Sequence, residues 1–208
     1  MIFRNRAEAG QELAKKLAKY REQNTIIYAL PRGGVIVGAE IAQKLHWPLS
    51  LVIIRKIGHP SQPEYAVGAV SENGPAVFNE SETDYLNPDW LAGAIHRQRQ
   101  ETRRRRLVYL KSRQPVPAQG KTAIITDDGI ATGLTMRAAI AEIRQQNPQK
   151  IIVAVPVAPL EVATLIANEV DEVAALQIPE NFIGSVGDYY QNFPQLTDKE
   201  VIGLLNSR

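Results

Sequence analysis

Ile124-Ile125-Thr126-Asp127-Asp128-Gly129-Ile130-Ala131-Thr132-Gly133-Leu134-Thr135 is the stretch on which the reading of this chain turns. An apolar run ends in two adjacent acids. A glycine- and threonine-rich turn follows, and then Met136, Ile140 and Ile143 recur at helical spacing. The pattern predicts a buried strand over 121–126, a loop over 127–135 and a helix running to Gln146. Gly129 and Gly133 permit positive φ and close approach of the backbone to a ligand. The helix aims unpaired N–H groups and its positive dipole end at the turn. Thr132 and Thr135 add hydroxyl donors, and the whole suits a dianionic phosphate. Asp127 and Asp128 would repel that phosphate and suit hydroxyl donors instead, such as those of a ribose.

Blander roles for the string fit less well. A Walker B strand needs a GxxxxGK[ST] loop elsewhere, and the chain has none. An acidic site of the receiver-domain kind leaves the Gly-Ile-Ala-Thr-Gly turn without a purpose. A merely structural turn with a capped helix needs only one aspartate.

Outward from this stretch, strands and helices alternate. Short apolar runs at 25–30, 49–54, 150–156 and 172–176 read as strands. Helical patterns cover 4–22, 34–46, 87–111, 159–169 and the end of the chain at 197–206. The strands are continuously apolar, which is the pattern of parallel strands covered on both faces. The expected fold class is α/β, a doubly wound and mainly parallel sheet of about five strands with flanking helices. Ligands in such sheets bind beyond the carboxyl ends of the strands. Residues 57–65, with Gly58, Pro60 and Pro63, read as a loop. Asn73-Gly74, between 66–71 and 75–79, reads as a hairpin turn. Pro115 and Pro117 mark a linker. One domain over 1–208 is expected, with a core to about 177 and a small C-terminal hood and helix over 178–208.

The bulk numbers restrict function less. The 208 residues are 44% hydrophobic and 22% charged, with a net charge of +2. That composition is ordinary for a globular domain and gives no argument for nucleic acid. There is no cysteine, so disulfides and thiolate metal sites are excluded. Neither a signal peptide nor a membrane span is expected, and a cytoplasmic setting is the default. The run Arg103-Arg104-Arg105-Arg106 lies beside Glu101 and lacks the aromatic interleaving of single-strand binders. A solvated face or a subunit contact, as in a homodimer, is the expectation. His46, His59 and His96 have no metal-ligand spacing.

The string from Ile124 to Thr135 resembles the phosphoribosyl pyrophosphate signature of the type I phosphoribosyltransferases. The resemblance extends over nearly the whole chain in element order. It implies that Asp127 and Asp128 hold the ribose hydroxyls. Gly129, Ile130, Ala131, Thr132, Gly133, Leu134 and Thr135 would hold the 5′-phosphate. Pro31-Arg32-Gly33-Gly34 resembles the family's pyrophosphate loop, where a cis peptide is often found, here at Pro31–Arg32. Its glycines would bring N–H groups to the pyrophosphate, and Arg32 would add charge-assisted bonds. Alone, the segment reads as a strand-to-helix turn with glycine at a strained position.

Arg55-Lys56 resembles the pair that precedes the flexible catalytic loop of the adenine phosphoribosyltransferases. Arg55 and Lys56 thus join Asp127 and Asp128 as candidate catalytic residues and pyrophosphate ligands. His59 and Glu64 are candidates on the lid. Residues 177–182, Gln-Ile-Pro-Glu-Asn-Phe, resemble the hood of the 6-oxopurine enzymes, with Phe182 placed to stack on a base and Asp188 matching a hood carboxylate across a gap. Phe182, Tyr189, Tyr190 and Phe193 read equally as a small satellite core.

The 6-oxopurine enzymes carry an aspartate where this chain has Ala131. They carry a lysine in the strand that here reads Val153-Ala154-Val155-Pro156. The chain therefore best matches the phosphoribosyltransferases whose acceptor is unsettled. The implied activity is Mg²⁺-dependent transfer of phosphoribose to a nitrogenous acceptor, with Mg²⁺ carried mainly by the substrate and in part by Asp127 or Asp128. The alternative is a non-catalytic regulator that binds phosphoribosyl pyrophosphate or a nucleotide.

Overall fold

The computed structural model describes residues 2–83, 85–111 and 116–206. The Pro115 end of the expected linker lies outside them. The strands are β1 (Thr25–Ala29), β2 (Leu49–Leu51), β3 (Arg55–His59), β4 (Gln62–Val70), β5 (Val77–Phe78), β6 (Thr122–Thr126), β7 (Lys150–Val157) and β8 (Glu172–Gln177). The helices are α1 (Arg6–Leu17), α2 (Gly34–Leu45), α3 (Glu80–Thr83), α4 (Pro88–Leu110), α5 (Leu134–Arg144), α6 (Leu160–Ala167) and α7 (Asp198–Asn206).

Five strands form one parallel sheet in the order β2-β1-β6-β7-β8. The doubly wound sheet expected from the apolar runs is the one observed. Neighbouring residues along each strand go to opposite faces. Ile26, Ile125 and Val153 pack with Met136, Ile140 and Ile166 of α5 and α6. Ile27, Ile124 and Ile152 pack with Leu13, Leu17, Val37 and Ile41 of α1 and α2. Two covered faces explain why the strands carry no polar alternation. The chain winds one way from β1 to β2, then returns to the other side of β1 as β6. The point between β1 and β6 is where an open α/β sheet splays its loops to leave a crevice.

A second sheet, β3-β4-β5, stands apart from the first. Here the structure corrects the expectation of a loop over 57–65. Residues 55–70 form a two-stranded antiparallel arm, with Arg55 opposite Val70 and His59 opposite Gln62. Gly58, Pro60 and Pro63 suggested a loop, yet the register shifts around Gly58 and His59 give a bulged stretch that tolerates them. Likewise β2 ends at Leu51, short of the expected Ile54. The pairing of β4 with β5 agrees with the expected hairpin, although six residues connect them. Ile57, Val67 and Val70 of the arm are buried against Ala94, with Trp90 and Ile95 of α4 beside them. That contact explains the apolar face of an otherwise highly charged helix. Asn87 accepts from the Trp90 amide and Pro88 occupies the first turn, so the start of α4 is well specified.

The C-terminal segment divides. Phe3, Tyr190 and Ala9 form a small core with Tyr189 and Phe193 beside it. Helix α7 packs elsewhere, its Val201 and Leu205 joining Val35, Leu51 and Tyr109.

Candidate active site

The loops after β1 and β6 meet at the switch point. Gly34 opens α2 directly against Asp127. A Cβ on Gly34 would lie 2.8 Å from both the Asp127 Cα and the Thr126 carbonyl oxygen. A Cβ on Gly33 would lie 1.7 Å from Asp128 Oδ2. A methyl group at either place would press on the acidic pair, so the glycine pair and the acidic pair build one surface. The Pro31–Arg32 peptide is cis, as the resemblance implied. The exposed Arg32 guanidinium lies 3.8 Å from Asp198 at the start of α7.

Asp127 and Asp128 sit differently. Asp127 Oδ1 accepts from the Asp128 amide at 2.8 Å. Burial, and then the neighbouring Asp128 carboxylate, push Asp127 well above the usual carboxylate range. Asp128 Oδ2 is paired at 2.7 Å with Arg6 Nε. The Tyr190 hydroxyl donates to the Asp128 backbone carbonyl at 2.6 Å. Burial raises the Tyr190 hydroxyl far above its ordinary value, so it stays a donor.

The turn from 129 to 133 leads into α5. The Ile130 amide donates to the Val157 carbonyl at 2.9 Å and its side chain is buried. Ile130 thus pins the turn to β7. Ala131 and Thr132 are exposed. Gly133 caps α5 with φ +80°, a conformation that L side chains seldom adopt. Leu134 is buried behind it. The amides that open α5 have no partner within the helix, so the turn offers N–H donors beside the acidic pair.

A cleft of about 650 Å³ adjoins this turn. Pro31, Thr135, Arg55, Lys56, His59 and Glu64 line it. Every residue expected on the pyrophosphate and lid side, apart from Arg32 and the glycines, therefore lines one cleft. Arg97, Gln98 and Arg105 of helix α4 line it as well. Arg55 Nε donates to Gln98 Oε1 at 3.1 Å. Burial, and next the Arg105 guanidinium, lower Arg55 below its ordinary value. Cations crowded together in this way favour an anion between them. His59 Nδ1 accepts from the Ser61 amide at the arm's tip.

The arginine run of α4 is partly engaged. Arg104 and Arg105 pair with Glu101, and Arg106 pairs with Glu72. A larger cavity of about 870 Å³ lies away from these loops beside α5, where Arg137 pairs with Glu169. It shares no residue with the switch point.

In the hood, Phe182 stacks on Tyr189 with ring centroids 5.2 Å apart. Phe182 also lines a hollow of about 470 Å³ with Pro159, Leu160, Glu161, Glu180 and Asn181. Asp188 is exposed, and its carboxylate accepts from the Ser185 amide and hydroxyl. Tyr190 belongs to the satellite core, with Tyr189 and Phe193 packed beside it.

Three residues escape sequence reasoning. Arg105 lies in the run expected to be a solvated face or a subunit contact, and Gln98 carries no motif. Arg6 carries none either, although it continues the buried stripe of Gly10, Leu13 and Leu17 along α1. An arginine in line with a helix's apolar stripe is the signal that could have found it.

The family model for the phosphoribosyl transferase domain matches residues 2–191. The chain belongs to that family. Two curated Mycobacterium tuberculosis proteins, from strains CDC 1551 and H37Rv, bear provisional names as phosphoribosyl transferases. Each is 37% identical over 207 residues, which is 99% of this chain and 46% of the relative. The chain thus spans about half the length of the curated relatives it matches. The crystal structure of TT1426 from Thermus thermophilus is 38% identical with a TM-score of 0.85, covering 100% of this chain and 99% of that one. AQ2163 from Aquifex aeolicus shares the fold at 14% identity and a TM-score of 0.54, covering 89% and 85%. The phosphoribosyl transferase match takes in both βα loops, the arm and the first part of the hood, to residue 191.

Among the described residues, no helix is long and apolar enough to cross a membrane.

Proposed function

We propose that the chain transfers the phosphoribosyl group of phosphoribosyl pyrophosphate to a nitrogen of a small acceptor, a nucleobase, and releases pyrophosphate. The observation that carries this reading is the meeting of Gly33 and Gly34 with Asp128 and Asp127 at the switch point. It joins a surface suited to diphosphate to one suited to vicinal hydroxyls. The turn from Gly129 to Thr135 and the first amides of α5 hold the 5′-phosphate. Ribose hydroxyls donate to Asp127 and Asp128. The amides of the 31–34 loop, with Arg32, Arg55 and Lys56, take the pyrophosphate.

The work of such a site is positioning and electrostatics. As the bond from C1 to pyrophosphate lengthens, positive charge grows on the ribose, close to the acidic pair, of which Asp128 is held by Arg6. Negative charge grows on the leaving group, within reach of the cations of the cleft. The arm, carrying His59 and Glu64, covers the reacting centre and excludes water.

Mg²⁺ fits this arrangement. Among the described residues no cluster of three or more histidines or acids offers a closed metal site. Mg²⁺ is commonly held by one or two carboxylates together with substrate phosphates and water. Asp127 and Asp128 are the residues that would hold it beside the substrate, where it would neutralise charge on the pyrophosphate.

The acceptor occupies the hollow beside Phe182. Ala131 offers no acid, and Val153, Val155 and Val157 are fully buried apolar residues with no lysine among them. Guanine and hypoxanthine therefore find no partner for their 6-oxo edge from these positions. A screen of nucleobases with Mg²⁺ and phosphoribosyl pyrophosphate, read as pyrophosphate release, tests the reading. Release with at least one base supports it. Binding without release across the screen would identify a regulator instead.

A further inference from the structure

Arg6 reaches the switch point from the other end of the chain. It is only 6% exposed, and a cation so deeply buried needs committed partners. It has three. Nε donates to Asp128 Oδ2 at 2.7 Å. Nη1 donates to the Pro194 carbonyl at 2.9 Å. The guanidinium carbon stands 3.6 Å from the centroid of the Phe193 ring, a cation–π contact. Phe193 stacks on Tyr190 at 4.9 Å, and Tyr190 donates to the Asp128 carbonyl. One assembly therefore grips Asp128 at both its carboxylate and its backbone. Gly33 stands against the same oxygen, where a Cβ would lie 1.7 Å from Oδ2 and 3.0 Å from Arg6 Nε.

We infer that Arg6 is a positioning residue for ligand binding. It fixes the rotation of the Asp128 carboxylate and leaves Oδ1 as the oxygen that a ribose hydroxyl meets. This rests on the ribose role of Asp128 proposed above. A guanidinium suits the task because its donors hold fixed directions, whereas an ammonium supplies charge without the fork. A pair that served only to hold the hood down would have no need to grip the acid that faces the ligand.

The test uses Arg6→Met, Arg6→Lys, Asp128→Asn and the double variant Arg6→Met/Asp128→Asn. Each is titrated with phosphoribosyl pyrophosphate and Mg²⁺ in a calorimeter and melted without ligand. Arg6→Met should weaken binding on the order of 10–100-fold, the size found for residues that orient metal-binding side chains. Arg6→Lys should recover part of that loss. In the Asp128→Asn background Arg6→Met should add little, because the group it orients has already changed. Wild-type affinity in Arg6→Met overturns the inference and leaves the proposed function standing. The same fold-loss from Arg6→Met in both backgrounds also overturns it, since a purely structural role predicts that result. If the wild type binds no phosphoribosyl pyrophosphate, the proposed function falls. The melts then decide the Arg6–Asp128 link: additive shifts sink it and coupled shifts uphold it. Should Arg6→Met fail to fold, Arg6→Lys runs through the same cycle.

Discussion

Replacing Gly33 by alanine should damage the site through a single added methyl group. Gly33 has φ −61° and ψ −41°, so alanine meets no backbone strain there. The new Cβ would lie 1.7 Å from Asp128 Oδ2, 2.4 Å from its Cγ and 3.0 Å from Arg6 Nε. The carboxylate must move, and its bond to Arg6 stretches or breaks. The two side chains are 7% and 16% exposed, so water screens the pair little. A charge-assisted hydrogen bond is worth about 1.5–3 kcal/mol. Removing a glycine returns about 0.4–1 kcal/mol by restricting the unfolded chain. The net loss is about 1.5 kcal/mol, or a fall in Tm of about 3–6 °C for a domain of this size. Differential scanning calorimetry reads the stability, and titration with phosphoribosyl pyrophosphate and Mg²⁺ should show weakened binding. A variant that melts at or above the wild-type temperature and binds ligand normally would refute the packing argument and the shared surface of the two loops.

The same geometry sets further expectations. Gly133→Ala combines φ +80° with a Cβ placed 2.7 Å from Val162 Cγ1; it should cost at least about 1–2 kcal/mol, read by urea unfolding. Tyr190→Phe removes the donor to the Asp128 carbonyl and should cost about 1 kcal/mol, with an unchanged melt counting against that bond. Asp128→Asn should lower affinity for phosphoribosyl pyrophosphate while circular dichroism stays native. Ligand with Mg²⁺ should protect the exposed tip of the arm around residues 60–65 from proteolysis, and equal cleavage with and without ligand would remove the lid from the mechanism. Guanine and hypoxanthine should be poor acceptors; turnover of guanine with kcat on the order of 10 s⁻¹ would mean that another residue reads the 6-oxo group.

Much of this architecture was legible because buried parallel strands announce themselves. Runs such as Ile26-Ile27-Tyr28 and Ile151-Ile152-Val153 leave no polar face, and only a doubly covered sheet needs that. The acids and glycines at the ends of two such runs then marked the crevice. The arm was not legible as strands, because its outer half is exposed and its glycine and prolines mimic a loop. The α4 wall was hidden for a different reason. Arg97, Gln98 and Arg105 matter through the arm they face, and a helix rich in charge shows no preference for one charged side over another. Arg6 was hidden by distance, since its partner Asp128 lies 122 residues away.

That separation has a consequence for how the protein comes into being. The parallel sheet can begin to assemble once β6 and its neighbours have left the ribosome. The clasp on Asp128 cannot, because it waits for Tyr190, Phe193 and the Pro194 carbonyl, 188 residues after Arg6. Contacts that close such long loops are slow to form, and chains grow at about 5–20 residues per second. A nascent chain therefore passes through a period in which the glycine loop, both acids and Arg6 exist but the guanidinium lacks its Phe193 and Pro194 partners and the Asp128 carbonyl lacks Tyr190. On the function proposed above, a firmly held ribose site waits on residues 190–194.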